Sequence, residues 1–121
     1  MKVIVVDDSL VMRKIIVNVV ESLGYEGVHA TNGKNLLEIL EHCGGEVGLV
    51  LLDWNMPGIN GIEALKTMQK DSRFRAIPVF MISTESEDAK VGEALKTGAK
   101  GYLAKPFTPE ELAAKIKDIL G

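Results

Sequence analysis

The sequence predicts an α/β fold in which one five-stranded parallel sheet carries helices on both faces, and three observations lead to it. Short, apolar, β-branched runs alternate along the whole chain with longer segments of helical period. The resulting order is βαβαβαβαβα, without an internal repeat or a break in composition. A length of 121 residues with 46% hydrophobic content suits a single domain, residues 1–121, that buries its own core. Strands that alternate with helices in this way form a doubly wound sheet.

The five predicted strands are short and rich in Val, Ile and Leu. They cover residues 3–6, 28–30, 49–52, 77–82 and 101–104. Continuous apolar runs of this kind are typical of parallel strands, because helices cover both faces of such a sheet.

The first and last predicted helices have the clearest sequence signals. The last helix begins with "TPEE", in which Thr108 is the predicted N-cap, Pro109 the first helical residue and Glu111 the capping-box acid. The first helix is predicted to end at Gly24. Its apolar residues recur at i, i+3, i+4, i+7, i+8 and i+11, and they are Met12, Ile15, Ile16, Val19, Val20 and Leu23.

The three middle helices have weaker signals. The second is predicted over residues 34–42, and the third over Gly61–Lys70 with Asn60 as its N-cap. The fourth follows Ser86 and ends near Gly98. Because the fourth helix has few apolar residues, we expect the core to cover it only in part.

Composition and charge exclude several classes of function. The net charge of -3 argues against binding to nucleic acid or to an anionic membrane, since both require a basic surface. Cys43 is the only cysteine, so an internal disulfide is impossible and a reducing compartment is expected. The apolar runs are too short to cross a bilayer, and the N-terminus runs into aspartates where a signal peptide would stay apolar. We therefore expect a soluble cytoplasmic protein.

Polar and charged side chains follow four of the five predicted strands. In a doubly wound sheet, ligands bind outside the carboxyl ends of the strands, so these side chains are predicted to share one site. Taken singly, each has an ordinary explanation, because Ser, Thr and Asp cap helices and a lone Lys is usually solvated. The residues are Asp7 and Asp8 after the first strand, Asp53 after the third, Ser83 and Thr84 after the fourth, and Lys105 after the fifth.

Three carboxylates gathered at one place require a cation. Each pair repels by on the order of 2 to 4 kcal/mol at an effective dielectric constant of about 20. Mg²⁺ suits such a site because it takes one or two carboxylates, keeps several waters and shares its other positions with phosphoryl oxygens. Next to Mg²⁺ and a lysine, an aspartate can attack a phosphoryl group to form an aspartyl phosphate, and this is the chemistry that the residues favour.

Four motifs, "VVDDS", "LLDWNMPGINGIE", "MIST" and "YLAKPFTPEEL", resemble the receiver domain of two-component response regulators over essentially the whole chain. The tracts "DWNMP" and "KPFT" are most similar to the stand-alone chemotaxis regulators of the CheY type. The resemblance implies a flavodoxin-like (βα)5 fold with strand order 2-1-3-4-5, an order that the spacing of the runs does not provide.

The resemblance also implies which residues bind metal and accept phosphate. Asp53 is the implied phospho-acceptor. Asp7, Asp8 and Asp53 are the implied side-chain ligands of Mg²⁺, and the backbone carbonyl of Asn55 is the implied fourth protein ligand.

A second group of residues is implied to respond to the phosphoryl group. Ser83 and Lys105 contact its oxygens, and Tyr102 is the aromatic side chain that moves together with Ser83. The bond before Pro106 is implied to be cis. Thr84 departs from the family pattern, in which this residue is very small, so we expect it to change rates and not the type of reaction.

The implied function is a signalling switch whose only covalent chemistry is on itself, so the protein is not expected to be an enzyme acting on other substrates. A sensor histidine kinase supplies the phosphoryl group, and water removes it. Output is expected through protein contacts of the fourth helix, fifth strand and fifth helix, because no DNA-binding or enzymatic domain is expected after Gly121. The resemblance to chemotaxis regulators implies the flagellar motor switch as the target.

Three other functions fit the sequence less well. A phosphatase of the haloacid dehalogenase type needs a second acid two residues after its nucleophile, where this chain has Asn55. A flavodoxin-like FMN carrier needs a phosphate-binding loop after the first strand, where the acidic "VVDDSL" would repel phosphate. A degenerate receiver that only binds proteins typically lacks one of the acids or the lysine, and this chain has all of them.

Trp54 and the two histidines are expected to have ordinary structural roles. Trp54, beside the implied acceptor, is expected to be a surface aromatic, with a partner contact as the alternative. His29 and His42 are expected to be ordinary surface residues, because neither lies at the carboxyl end of a strand.

Overall fold

The computed structural model describes residues 1–54, 56, 58–84 and 88–121, without the side chains of residues 88 and 89. Within these residues the chain forms one sheet of five parallel strands in the order β2-β1-β3-β4-β5. The strands are β1 (Lys2–Val6), β2 (Glu26–Ala30), β3 (Val47–Asp53), β4 (Val79–Ser83) and β5 (Gly101–Ala104). The helices are α1 (Leu10–Ser22), α2 (Gly33–Cys43), α3 (Gly61–Lys70), α4 (Asp88–Thr97) and α5 (Pro109–Leu120), with a 3-10 turn at Gly44–Glu46. The predicted fold class and strand order are confirmed.

Two apolar layers cover the two faces of the sheet. On one face, α1 and α5 pack against alternate residues of the strands, and Ile16 and Leu112 lie in this layer. On the other face, α2, α3 and α4 cover the remaining alternate residues, and Leu36 and Leu65 lie in that layer. Because successive side chains of a strand point to opposite faces, β1, β3, β4 and β5 contribute to both layers, whereas β2 contributes Val28 and Ala30 to the second layer only. The fully covered sheet leaves its carboxyl edge as the place where polar side chains can gather.

Several predicted helix ends agree with the structure. Helix α3 has the predicted bounds, and the Asn60 side chain accepts a hydrogen bond from the Glu63 N–H at 3.0 Å. Helix α5 begins with the predicted capping box, in which the N–H of Glu111 donates to Thr108 Oγ1 at 3.1 Å. Gly24, just beyond α1, has a φ of 93°, a conformation that favours glycine. Ser86, the predicted start of α4, lies outside the described residues.

Strand β4 begins at Val79, two residues later than predicted. Pro78 lacks an N–H and so cannot donate to the neighbouring strand, although its carbonyl accepts a hydrogen bond from the N–H of Val50 at 3.0 Å. Helix α4 is covered only in part, as predicted, since Ala94 is fully buried while Leu95 is 47% exposed.

One prediction for α1 is wrong. Ile15, assigned to the buried stripe, is 42% exposed, whereas Val17 is buried. The reason lies in β2, where a Cβ added to Gly27 would lie 2.7 Å from a methyl carbon of Val17. Because Gly27 has no side chain, Val17 packs against β2, and this orientation of α1 leaves Ile15 exposed. The same orientation buries Arg13, which is 7% exposed.

Candidate functional site

Three acidic side chains meet at the carboxyl edge of the sheet. Asp7 and Asp8 follow β1, and Asp53 is the last residue of the adjacent strand β3. Carboxylate oxygens of the three residues lie within 4.8 Å of one another. Asp7 and Asp53 are buried, while Asp8 is exposed. The pairing of β1 with β3 thus places together two acids that are 46 residues apart in the chain.

Lys105 joins this group from the far edge of the sheet. Its Nζ lies 2.8 Å from Asp7 Oδ2 and 3.7 Å from Asp53 Oδ2. The side chain is 14% exposed, so the ammonium is largely shielded from water. Three carboxylates and one ammonium leave a formal charge of -2 (three negative, one positive) in this small volume.

Asp7 is held by several neighbouring groups. Its Oδ1 accepts a hydrogen bond from the N–H of Ser9 at 2.8 Å, and its Oδ2 accepts the one from Lys105. Its carbonyl oxygen accepts a hydrogen bond from Arg13 Nη1 at 2.6 Å, and its N–H donates to the Ala30 carbonyl at 3.2 Å. Both the backbone and the carboxylate of Asp7 are therefore fixed by the surrounding elements.

Ser83 and Tyr102 lie on neighbouring strands of the sheet. Ser83 is fully buried at the end of β4, and its carbonyl accepts a hydrogen bond from the Lys105 N–H at 2.9 Å. Met81 pairs with Tyr102, and Ser83 pairs with Ala104. Since residues two apart in a strand share a face, Ser83 and Tyr102 lie on the same face of the sheet, one step apart diagonally.

Trp54, directly after β3, and Gly61, the first residue of α3, lie close to Asp53. Trp54 is 6% exposed and belongs to the core, so the expectation of a surface aromatic is wrong. The N–H of Gly61 donates to the Trp54 carbonyl at 2.8 Å, and a Cβ on Gly61 would collide with the Asp53 carbonyl oxygen. Glycine is thus required where α3 approaches Asp53. Asn55, predicted to offer its carbonyl to the metal, lies outside the described residues.

The geometry of the acidic group suits a hard cation. Carboxylate oxygens that lie within 4.8 Å of one another repel by about 3.5 kcal/mol or more at an effective dielectric constant of about 20. Lys105 offsets only part of that repulsion, because its single charge lies among three carboxylates, while the guanidinium of Arg13 contacts the carbonyl oxygen of Asp7. A divalent ion with a preference for oxygen ligands would remove the imbalance, and Mg²⁺ has that preference.

The polar residue that the sequence analysis missed is Arg13. It lies three residues before Ile16 and four before Val17, so it continues the buried line of α1 toward its N-terminus. The sequence did carry a signal for its burial, because Arg13 has the helical spacing that places it on the apolar side of α1.

Comparison with known proteins agrees with the motifs. The sequence profile of the response regulator receiver domain matches residues 3–117. The chain belongs to this family. More narrowly, it is a receiver domain of the CheY-type chemotaxis response regulators. The recognition made from the motifs is confirmed.

Relatives of this receiver domain match it over nearly their full length. It is 45% identical to chemotaxis protein CheY1 of Helicobacter pylori, over 100% of this chain and 98% of that protein. It is 40% identical to a chemotaxis protein CheY homolog of Campylobacter jejuni, over 100% of this chain and 93% of that protein. The solved structure of Vibrio cholerae chemotaxis protein CheY4 superposes with a TM-score of 0.90 at 31% identity, covering 98% of this chain and 97% of that one.

Among the residues that the structure describes, none of the helices combines the length and the apolar character that spanning a membrane requires.

Proposed function

We propose that this receiver domain accepts a phosphoryl group on Asp53 from the phosphohistidine of a sensor kinase, in a Mg²⁺-dependent reaction, and passes the signal on by a change in protein binding. The observation that carries the proposal is the position of Asp53, a buried carboxylate within 4.8 Å of two further acids and 3.7 Å from Lys105.

The reaction needs only the side chain of Asp53 as nucleophile. One carboxylate oxygen attacks phosphorus, an O–P bond forms, and the P–N bond of the phosphohistidine breaks, with its electron pair leaving on the imidazole nitrogen. Later a water molecule attacks the same phosphorus, the O–P bond of the acyl phosphate breaks, and the carboxylate and inorganic phosphate are released. Asp53 is thereby restored after each cycle.

Asp7, Asp8 and Asp53 would hold Mg²⁺, with the backbone carbonyl of Asn55 as the further ligand expected for the family. When bound, the ion supplies positive charge that offsets the negative charge on the phosphoryl oxygens. Lys105 donates to another of those oxygens. Its 3.7 Å separation from Asp53 Oδ2 leaves room for a shorter contact with a phosphoryl oxygen.

The switch follows from new hydrogen bonds to the phosphoryl group. Hydrogen bonds to charged groups contribute roughly 1.5 to 3 kcal/mol each, so Ser83 and Lys105 together supply about 3 to 6 kcal/mol. Moving a two-state equilibrium from 1:99 to 99:1 needs about 5.5 kcal/mol, so both contacts are required for a full change. Movement of Ser83 toward the phosphoryl group would leave space on the shared face for the ring of Tyr102.

The proposed output surface consists of α4, β5 and α5. Tyr102 and the segment to Lys105 connect this surface to the acidic group, and the exposed Leu95 gives α4 an apolar contact point. The partner is a downstream protein of a chemotaxis pathway, and we propose the flagellar motor switch.

Incubation of the protein with Mg²⁺ and a small acyl phosphate tests the proposed chemistry. Intact-mass spectrometry should show one added phosphate that is stable in acid, labile in base and absent when a chelator is present. An unmodified mass under these conditions, or an acid-labile adduct, would contradict an aspartyl phosphate.

A further inference from the structure

We propose that Arg13 is a positioning residue that orients Asp7 for cation binding, and that His29 in turn holds Arg13. Arg13 Nη1 donates to the carbonyl oxygen of Asp7 at 2.6 Å, and its Nε donates to His29 Nδ1 at 3.3 Å. The contacts join α1, the end of β1 and β2. The inference rests on the proposed function in one respect, namely that Asp7 is a metal ligand.

The burial of Arg13 is the first reason for this assignment. Arginine is seldom fully buried, because removing a guanidinium from water is unfavourable unless its donors find partners. Arg13 is nevertheless 7% exposed, at a position where the buried line of α1 would accept an apolar side chain. Its described partners are a carbonyl and an imidazole, so a salt bridge to a carboxylate does not explain its burial.

The second reason is the particular atom that Arg13 contacts. The carboxylate of Asp7 is already oriented by Ser9 and Lys105, whereas Arg13 holds the backbone of the same residue. The backbone of Asp7 determines where its carboxylate begins, and hence how it faces Asp8 and Asp53. Groups that hold a metal ligand without contacting the metal typically change metal affinity by about 10- to 100-fold when they are removed.

Positioning and simple electrostatics predict opposite results when Arg13 is replaced. Removing a positive charge near a cation site strengthens cation binding if charge is all that matters. Loosening the backbone of Asp7, by contrast, weakens cation binding. The sign of the change in Mg²⁺ affinity therefore distinguishes the two roles.

The test measures the Mg²⁺ dissociation constant of the full chain by titration at fixed ionic strength. Trp54 fluorescence is a suitable signal, because Trp54 is buried directly after Asp53. Arg13→Met should weaken Mg²⁺ binding about 10-fold. Arg13→Lys, which keeps the charge but cannot bridge Asp7 and His29, should lie between wild type and Arg13→Met. His29→Ala should weaken binding less than Arg13→Met does, because the contact with Asp7 remains.

Lys14→Met is the matched control. It removes the same charge from the next residue of α1, where the side chain is exposed, and should leave the dissociation constant unchanged or slightly lower. Tighter or unchanged binding in a folded Arg13→Met would overturn the inference, as would an equal loss in Lys14→Met. If Arg13→Met fails to fold by its melting curve, Arg13→Lys decides, and wild-type affinity in that variant would refute positioning by the bridged guanidinium. Failure of the wild type to bind Mg²⁺ would instead refute the proposed function, and this inference with it.

Discussion

Two charged clusters in this protein each place one cation between two carboxylates, but the clusters differ in burial and in surplus charge. At the carboxyl edge of the sheet, Lys105 lies between Asp7 and Asp53. Near the ends of α2 and α3, Arg73 lies between Glu41 and Asp71. The side chain of Lys105 is 14% exposed and that of Arg73 is 58% exposed.

The exposed cluster is complete in itself. Arg73 donates two hydrogen bonds to Glu41, at 2.9 and 2.7 Å, and two to Asp71, at 3.1 and 2.8 Å. Its hydrogen bonds lower the pKa of both carboxyls, and those carboxylates raise the pKa of Arg73. This arrangement joins the end of α2 to the loop after α3, and its four hydrogen bonds pair Arg73 with both carboxylates.

The buried cluster carries more surplus negative charge. Lys105 makes one short contact and one long one, and a third acid, Asp8, adds to the negative charge. Water screens the exposed cluster, whereas burial makes the imbalance at the sheet edge more costly. The difference teaches that surplus negative charge in a buried cluster marks a site for a cation, whereas the single surplus charge of the exposed cluster is screened by water.

The largest expected effect separates the two clusters by chemistry. Asp53→Asn should abolish phosphorylation and leave the fold intact, because an amide has nearly the same shape but is not a nucleophile. Asp71→Asn, the equivalent change in the exposed cluster, should be phosphorylated to the wild-type extent. Intact-mass spectrometry measures both, and wild-type labelling of Asp53→Asn would disprove the acceptor assignment.

A smaller effect is expected from the residues that respond to the phosphoryl group. Ser83→Ala should still be phosphorylated but should reach the active state only in part, since one of two required contacts is lost. Lys105→Ala should reach it less, because phosphoryl charge is also left uncompensated. NMR of the amides of α4 and β5, in protein treated with beryllofluoride, reports the population. A wild-type end state in Ser83→Ala would reduce Ser83 to a strand-end residue without a switching role.

Relief of charge repulsion gives a third comparison. Asp8→Ala should raise the melting temperature of the metal-free protein and weaken Mg²⁺ binding, because it removes one of three mutually repelling carboxylates. Asp71→Ala should not raise the melting temperature, since Asp71 is already paired with Arg73. Melting curves in chelator and Trp54 titrations test both variants. An unchanged Mg²⁺ affinity together with an unchanged or lowered melting temperature in Asp8→Ala would argue against an acidic metal pocket.

The smallest effect is expected from Arg73→Met. This change should lower the melting temperature only slightly at neutral pH, because exposed ion pairs contribute little, and should leave Mg²⁺ binding unaltered. The lowered pKa values of Glu41 and Asp71 mean that their stabilising contribution is present above their usual values of about 4 and is lost as pH falls through the lowered ones. The difference in melting temperature between wild type and variant should therefore shrink in acid. A difference in melting temperature that grows below about pH 4 would contradict the lowered pKa values of Glu41 and Asp71.

The sequence by itself determined the number and type of the main elements. Alternation of short apolar runs with segments of helical period indicates a covered parallel sheet whatever the order of its strands, because the period records which side chains are buried. The end signals of α3 and α5 are local, since a cap and its partner are three residues apart, and their prediction needed no tertiary knowledge. The polar residues after the strands could likewise be assigned to one edge of the sheet.

Only the tertiary structure decided which elements meet. Lys105 and Asp7 are 98 residues apart, and their contact depends on a strand order that no local pattern encodes. The rotation of α1 that exposes Ile15 and buries Arg13 depends on the space above Gly27 in another strand. Trp54 is a similar case, because it joins a core cluster made of residues from other elements, and its own sequence neighbours did not indicate this burial. Periodicity identifies the apolar side of an element, but the shape of its neighbour determines which residues fill the interface.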